Sequence, residues 1–367
     1  MGNTILTPSL IAKESLMRLK NNLVFGSLIN KGYSADFVKG VGNIVTIPIP
    51  ATFVAQTYNG SLVYQDINQG STTIELTDLL DISIKVTSKE LTLDIQNFGD
   101  LYLEGVTDAF AQAIDAKIAG LASDTPYSVD VSNPAVIADI IALDERLNLN
   151  KAPLSDRFLV LDPITQAKYI ALDAFVHAEK SGSTETLRQA NLGKLFTLDT
   201  YMDQNVGTHV KGTLNAGATA TGILGATTLT IAAGGNALTV NKGDSLTLSD
   251  TLGQYVCTED LTVSAGGAGS LKIYPGLAQA ATTKTVTLHA SGTGNVAFQK
   301  NAFALAFATL EAPIDGRNAS VIRDPSTGIA LRVVYGYDME AKANIVSIDT
   351  LIGVKTLVPE FAVRLVG

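Results

Sequence analysis

The 367 residues contain no tryptophan, one cysteine and three histidines. A single thiol, Cys257, cannot close a disulfide within the chain, so no disulfide framework supports the fold. His177, His209 and His289 stand far apart, and with one cysteine they do not make a tetrahedral zinc site of the usual kind. Long apolar runs are missing too. No stretch approaches the ~20 apolar residues of a membrane span, and residues 6–19 carry Lys13, Glu14 and Arg18 where a secretory leader would be apolar. Positive charge is in short supply: 26 Lys and Arg stand against 35 Asp and Glu, a net charge of −9. That balance argues against a protein that grips nucleic acid by neutralising phosphates. Nothing in the composition asks for a metal, a cofactor or a membrane. A chain of this length, 46% apolar and 17% charged, buries an ample core without such staples. At ~100–200 residues per domain it divides into two or three parts.

What is present changes character along the chain. Residues 1–43 read as an arm. Thr7-Pro8-Ser9 can start a helix, and Leu10, Leu16, Met17, Leu19 and Leu23 give it a loose apolar face. The arm is locally basic, and a lone helix of this length is marginal without a surface to pack on. Residues 44–96 switch to period two. Ile44 to Pro50 alternates with prolines suited to a sheet edge; Ile74, Leu76, Leu80, Ile82, Ile84 and Val86 fall mostly at spacing two. With Asn59-Gly60 and Gln69-Gly70 as turn signals between, the segment predicts a long projecting hairpin. A two-stranded ribbon is marginal alone, and no nearby segment offers itself as a partner.

Residues 97–122 give the clearest helix, with Asn97 as N-cap, Asp100 in the first turn and a stripe through Leu103, Val106, Phe110, Ile114, Ile118 and Leu121. From 133 to 200 the pattern is α/β: Asn133-Pro134 opens a helix, residues 157–161 make a short buried strand, and Asp162-Pro163 caps the next helix. Residues 177–191 are polar and predict a loop. Residues 210–291 then hold 12 of the 32 glycines, with many threonines and few charges. Alternating runs at 228–231, 237–240, 245–248, 255–257, 271–274 and 285–288 predict a small β-barrel or sandwich. The α/β pattern resumes at Phe298, so this block reads as an insertion. Strand-like runs at 329–337, 343–348 and 359–366 close the chain.

The motifs that could carry chemistry each have a plainer reading. Gly243-Asp244-Ser245-Leu246 spells an esterase signature whose serine is a nucleophile. It sits mid-chain in an alternating strand pattern and no Asp-x-x-His follows, so it reads as a turn entering a strand. The glycines at 266, 267 and 269 lack the Lys-Ser/Thr of a phosphate loop. Asp144-Glu145 and Glu259-Asp260 are neighbours that point apart on a helix, unlike an acid/base pair. The chain predicts no enzyme. It does predict an arm, a hairpin and a long amphipathic helix that all require partner surface.

The order of these parts resembles the major capsid proteins of tailed bacteriophages, most nearly the podovirus coat-protein branch that carries an insertion domain. Residues 87–93 (Thr-Ser-Lys-Glu-Leu-Thr-Leu) leading into the long helix are similar to that family. So are Gln204-Asn205-Val206-Gly207-Thr208-His209 before the insertion and residues 297–304 after it; Gln299 departs, where the likeness places His. The resemblance implies an α+β fold of the type first described for phage Hong Kong ninety-seven. Its parts would be an N-arm at 1–43, an E-loop at 44–96, a P-domain spine helix at 97–132, an A-domain at 133–209 and 292–312, an inserted all-β domain at 210–291, and C-terminal strands at 313–367. It also implies pentamers and hexamers of this chain closing into an icosahedral head, with scaffolding protein, a portal and enclosed double-stranded DNA as partners. Expected contacts between subunits are Leu16 and Leu19 of the arm and Phe53, Val54, Leu62, Val63, Asp66, Glu75, Asp78 and Asp81 of the hairpin. Some capsids of this fold weld subunits through a lysine on the hairpin. Residues 40–84 hold no Lys or Arg, which predicts a non-covalent shell whose acidic hairpin meets Lys13, Arg18 and Lys20, or Arg317, Arg323 and Arg332, of a neighbour. A β-rich adhesin or carbohydrate-binding virion protein is the alternative; it would need exposed aromatics in 210–291, where only Tyr255 and Tyr274 occur.

Overall fold

The computed structural model describes residues 8–35, 42–48, 71–87, 104–176, 189–214, 217–251, 253–313, 318–324, 328–340 and 342–367, with Ala55, Thr57, Gly60, Leu62 and Tyr64 singly. The chain divides into two compact units. One comprises residues 1–21, 31–110 and 304–357, the other 22–30, 111–303 and 358–367.

The first unit is built on a five-stranded sheet. Its centre is the 14-residue strand Ala343–Thr356, flanked by Ala330–Asp338 and, on the other side, by Asp78–Thr87. Phe303–Ala308 and Asn318–Arg323 complete it. Asp78–Thr87 pairs antiparallel with Ala343–Ile352 over ten residues, from Thr87 opposite Ala343 to Asp78 opposite Ile352. Here the sequence reading needs correction. It left this strand in a hairpin with no partner; its partner lies some 260 residues downstream, beyond the reach of any local pattern. The period-two alternation itself holds. Leu80, Ile82 and Ile84 are half-buried while Asp81, Ser83 and Lys85 face solvent, so the register follows from which face is apolar. Strands Ile44–Pro48 and Ser71–Glu75 form a separate antiparallel pair, Ile44 opposite Glu75 and Pro48 opposite Ser71. Ile47, Ile74 and Leu76 pack with Ala304 and Ala306.

The first helix runs Pro8–Asn22. Its buried stripe is Ile11, Ala12, Ser15 and Leu19, residues one turn apart. Two positions of the anticipated face do not join it: Leu16 is half-buried and Met17 is 61% exposed. Arg18 bonds Glu14 one turn back at 2.8 Å. The long helix is described as Glu104–Gly120, about 26 Å at ~1.5 Å per residue. The anticipated N-cap at Asn97 lies outside the described residues. Leu121–Asp124 tightens into a 3-10 turn beyond its end.

The second unit combines a seven-stranded mixed sheet with a closed barrel. The sheet order is Ser128–Asp130, Ala362–Val366, Gly292–Gln299, Arg157–Leu161, Leu198–Met202, Lys194–Leu195, with Thr208–His209 pairing Gly292–Gln299. Helices Ile137–Leu149 and Pro163–Ile170 belong to the same unit, and Ile140, Leu143, Leu147 and Tyr169 join Leu159, Leu161, Val363 and Leu365 in one core. Asp162 caps Pro163–Ile170 by accepting from the amides of Ile164 and Thr165. The preceding helix starts three residues later than Asn133-Pro134 suggested. It begins at Ile137, and Asp139 takes the capping role by accepting from the Val136 amide at 3.2 Å and the Ser132 hydroxyl at 2.7 Å.

The barrel closes in the order Thr228–Ala232, Ala268–Tyr274, Tyr255–Cys257, Ser245–Leu248, Ala281–Leu288, Thr219–Gly222, the last pairing back to the first. Alternation builds it: along Thr228–Ala232 the threonines face out while Leu229 and Ile231 are fully buried. Its core of Leu229, Ile231, Leu246, Leu271, Ala220 and their neighbours is a cluster of its own. Closure leaves no exposed sheet edge.

Candidate functional site

Chemistry was tested first at the esterase-like tetrapeptide. Gly243 has φ +88° and a side chain there would meet Ser123 Cβ at 2.8 Å, so both the turn and the close approach require glycine. Asp244 is spent on structure: one oxygen bonds His209 Nε2 at 2.8 Å, the other accepts from the amides of Gly212 and Asn241. The Ser245 hydroxyl is buried, donates to Pro126 O at 3.3 Å and accepts from Ser128 at 3.1 Å. No histidine bonds it among the described residues, so nothing there activates it as a nucleophile. His289 lies by Asp130 at 3.5 Å, and its hydrogen bond to the Asp130 carboxyl holds that group below its usual range against burial, which alone would raise it. Gln254 also bonds His289, and its amide spans both backbone groups of Ser128. These contacts rivet the barrel to the sheet strands beside it rather than forming a catalytic centre.

The carboxylate pairs diverge. Asp144 accepts from the buried Arg157 while Glu145 faces solvent; Glu259 pairs Lys272 at 2.6 Å while Asp260 accepts from the Lys242 amide. Cys257 is buried, which pushes its thiol well above the ordinary range. Among the described residues no group of three or more His, Cys, Asp and Glu could hold a metal, and no helix is long and apolar enough to cross a membrane.

The residues anticipated at subunit contacts fall into three groups. Phe53, Val54, Val63 and Asp66 lie outside the described residues. Leu62 is 72% exposed, Glu75 accepts from Asn43 across the short strand pair, and Leu16 is half-buried. The third group is taken up by the chain itself. Leu19 is fully buried within it. Asp78 and Asp81 sit in the strand that joins the five-stranded sheet, and Asp81 accepts from Ser347 at 2.7 Å and Ser83 at 3.1 Å. Of the cations offered to them, Arg332 bonds Asp349, Arg323 donates to Ser34 O, and Lys20 pairs Asp324 at 3.1 Å. Arg317 lies outside the described residues. Sequence reasoning did not single out the exposed apolar residues Leu79, Leu149, Leu154, Ile223 and Leu224.

No family model matches the chain, and no curated protein sequence does. Solved structures do. A structure of Mycobacterium phage Che8 aligns at TM-score 0.52 with 13% identity, covering 94% of this chain and 90% of that one. The capsid of Ralstonia phage GP4 aligns at 0.52 with 8% identity, covering 93% and 87%. The capsid of cyanophage P-SCSP1u aligns at 0.50 with 13% identity, covering 89% and 83%. The chain has a phage-capsid fold. That fold extends over nearly the whole sequence at identities of only 8–13%.

Proposed function

We propose that this chain is the major capsid protein of a tailed bacteriophage, assembling as pentamers and hexamers into an icosahedral head around double-stranded DNA. The observation that carries the reading is the fold match to capsid subunits across about nine-tenths of both chains. The Ser245 hydroxyl, buried and bonded to Pro126 O and Ser128, serves structure in this reading. Arm, E-loop, spine helix, A-domain, P-domain and inserted barrel are assigned as the resemblance implies, with scaffolding protein and a portal as partners. An acidic container does not attract packaged DNA by charge, which suits storage and release. The adhesin alternative lacks its aromatic platform: Tyr255 is buried and the Tyr274 hydroxyl is bonded to Glu360.

The absence of Lys and Arg from residues 40–84 leaves most of the hairpin without an amine to crosslink, Lys85 and Lys89 near its end being the exceptions. The shell is therefore held by apolar contacts at ~25 cal/mol per Å² buried, with exposed ion pairs adding ~0.2–1 kcal/mol each. Electron microscopy of the purified protein, with and without a co-expressed scaffold, tests the assignment. Capsomers or closed shells are expected; a monodisperse small oligomer under all conditions refutes it. On a denaturing gel the shells should run as monomer, and a ladder of covalent multimers refutes the non-covalent reading.

A further inference from the structure

The strand Asp78–Thr87 has one paired edge, which Ala343–Ile352 occupies over ten residues in an unbroken register. Among the described residues no strand pairs the other edge, so a row of backbone N–H and C=O groups runs along it. Sheet edges are usually guarded by shortness, a proline, a bulge or charge. This strand is ten residues long, contains no proline and makes no bulge against its partner. Beyond Asp78 its only charges are Asp81 and Lys85.

Those two charges have opposite sign and stand two residues either side of Ser83. All three side chains are exposed and share one face of the sheet, as residues at spacing two do. Asp81 accepts from Ser347 and Ser83, and a carboxylate has capacity for a further donor. The other face carries Leu80, Ile82 and Ile84, each only half-buried. The strand is therefore self-complementary. Laid antiparallel on a copy of itself about Ser83, Asp81 falls opposite the copy's Lys85, Lys85 opposite the copy's Asp81, and Ile82 opposite the copy's Ile84. A two-fold axis perpendicular to the sheet keeps every side chain on its own face. Unlike charges and apolar pairs placed directly opposite stabilise a sheet, and like charges destabilise it. Centring the pair on Asp81 or on Lys85 would set like charges opposite each other.

We propose that Asp78–Thr87 is a docking edge for the same strand of a second copy, paired antiparallel about a two-fold axis at Ser83 so that two five-stranded sheets join into one. A two-fold contact closes at two copies. Under the capsid reading it would therefore join subunits of neighbouring capsomers, not subunits of one ring; the pairing itself does not rest on that reading. One strand edge buries little surface, so the contact is weak in isolation and strengthens by repetition.

Trapping reads such a contact. Ser83→Cys adds an exposed thiol, while the native Cys257 is buried. In the paired edge the two introduced thiols lie directly opposite, near enough for a disulfide to close. Lys85→Cys sets them about four residues apart along the strands, roughly 13 Å, beyond the reach of a disulfide. Mild oxidation of the full chain should give a covalent dimer with Ser83→Cys, and none with Lys85→Cys, on a non-reducing gel. Adding Lys85→Asp to Ser83→Cys should slow crosslinking about tenfold by opposing like charges, and adding Asp81→Lys as well should restore the rate. No dimer from Ser83→Cys would overturn the proposal: another segment or another protein would then cover this edge. Equal crosslinking of the two cysteine variants, or a rate indifferent to the charge changes, would show random collision and overturn it too. Shells without the trapped dimer refute this pairing alone; the trapped dimer without shells refutes the capsid reading alone.

Discussion

Asp115 offers the sharpest test of how the chain after the first helix is anchored. It sits in the long helix and is 1% exposed. Its carboxylate accepts from the amides of Val24 at 2.8 Å and Gly26 at 2.9 Å, the start of the one-turn helix Phe25–Leu28. Those amides have no intrahelical acceptor, so a residue 89 positions away supplies the cap. Hydrogen bonds to a charged group contribute ~1.5–3 kcal/mol each. Asp115→Ala removes two and leaves two buried donors unpaired; a loss of about 3 kcal/mol is expected, since water entering the gap recovers part. Asp115→Asn keeps the shape and one acceptor oxygen but turns an N–H donor toward the other amide, for a loss of about 2 kcal/mol. Urea unfolding of the unassembled subunit reads the totals. Hydrogen exchange reads the location: a 2 kcal/mol loss accelerates exchange of the Val24 and Gly26 amides about thirtyfold where they open locally. If both variants stay within ~0.5 kcal/mol of wild type, or exchange rises everywhere but residues 22–30, the cap does not hold this segment and the reasoning fails.

Four further outcomes are expected. Residues 210–291 expressed alone should melt cooperatively with dispersed amide resonances, because the barrel has its own closed core; a random-coil spectrum counts against this. Ser245→Ala should leave shells forming normally and change stability by roughly 1 kcal/mol or less, and a fluorophosphonate probe should not label Ser245 in the wild-type chain; a covalent adduct there would show that the serine is activated after all. Leu19→Asp should destabilise the subunit itself, since a charge would replace a fully buried side chain, whereas Leu16→Asp, at a half-buried position, should leave the subunit folded and weaken assembly; identical behaviour of the two sinks the distinction. The Asp130 carboxyl is held below its ordinary value of 3.8, so its contribution is present above that pH and fades as pH falls below it. Asp130→Asn should therefore be less stable than wild type at pH 6, by less than ~1 kcal/mol for this half-exposed pair, with the gap closing below pH 4 in a urea titration.

Much of the local structure was legible because its causes are local. The strand Arg157–Leu161, the Asp162 cap and the alternating barrel strands follow from patterns of two to ten residues. The helix at Ile137 was misplaced at its start because Asn133-Pro134 looks like a cap and first turn, while the carboxylate that serves is Asp139, inside the helix. The assembly residues were the least legible. Surface for a partner and surface for the chain's own distant strands both look like unmatched apolar or charged residues in one dimension: Asp78 and Asp81 lie in the strand that pairs Ala343–Ile352, and Leu19 is fully buried.

What the sequence determined by itself was periodicity, and with it the type of most elements. It also set the exclusion of a disulfide within the chain and the absence of Lys and Arg from residues 40–84, since composition fixes these whatever the fold. Tertiary structure decided everything that depends on which distant segments meet. Asp78–Thr87 becomes a sheet strand rather than a free ribbon only because Ala343–Ile352 supplies ten matching backbone partners. Six short strands become a barrel only because the first and last pair. The same holds for the two buried arginines: as residue types in the sequence they are alike, and only the packing around them gives Arg157 a partner at every nitrogen and Arg364 a partner at Nη1 alone. Hydrogen-bond satisfaction is a property of neighbours in space, and no window along the chain contains them.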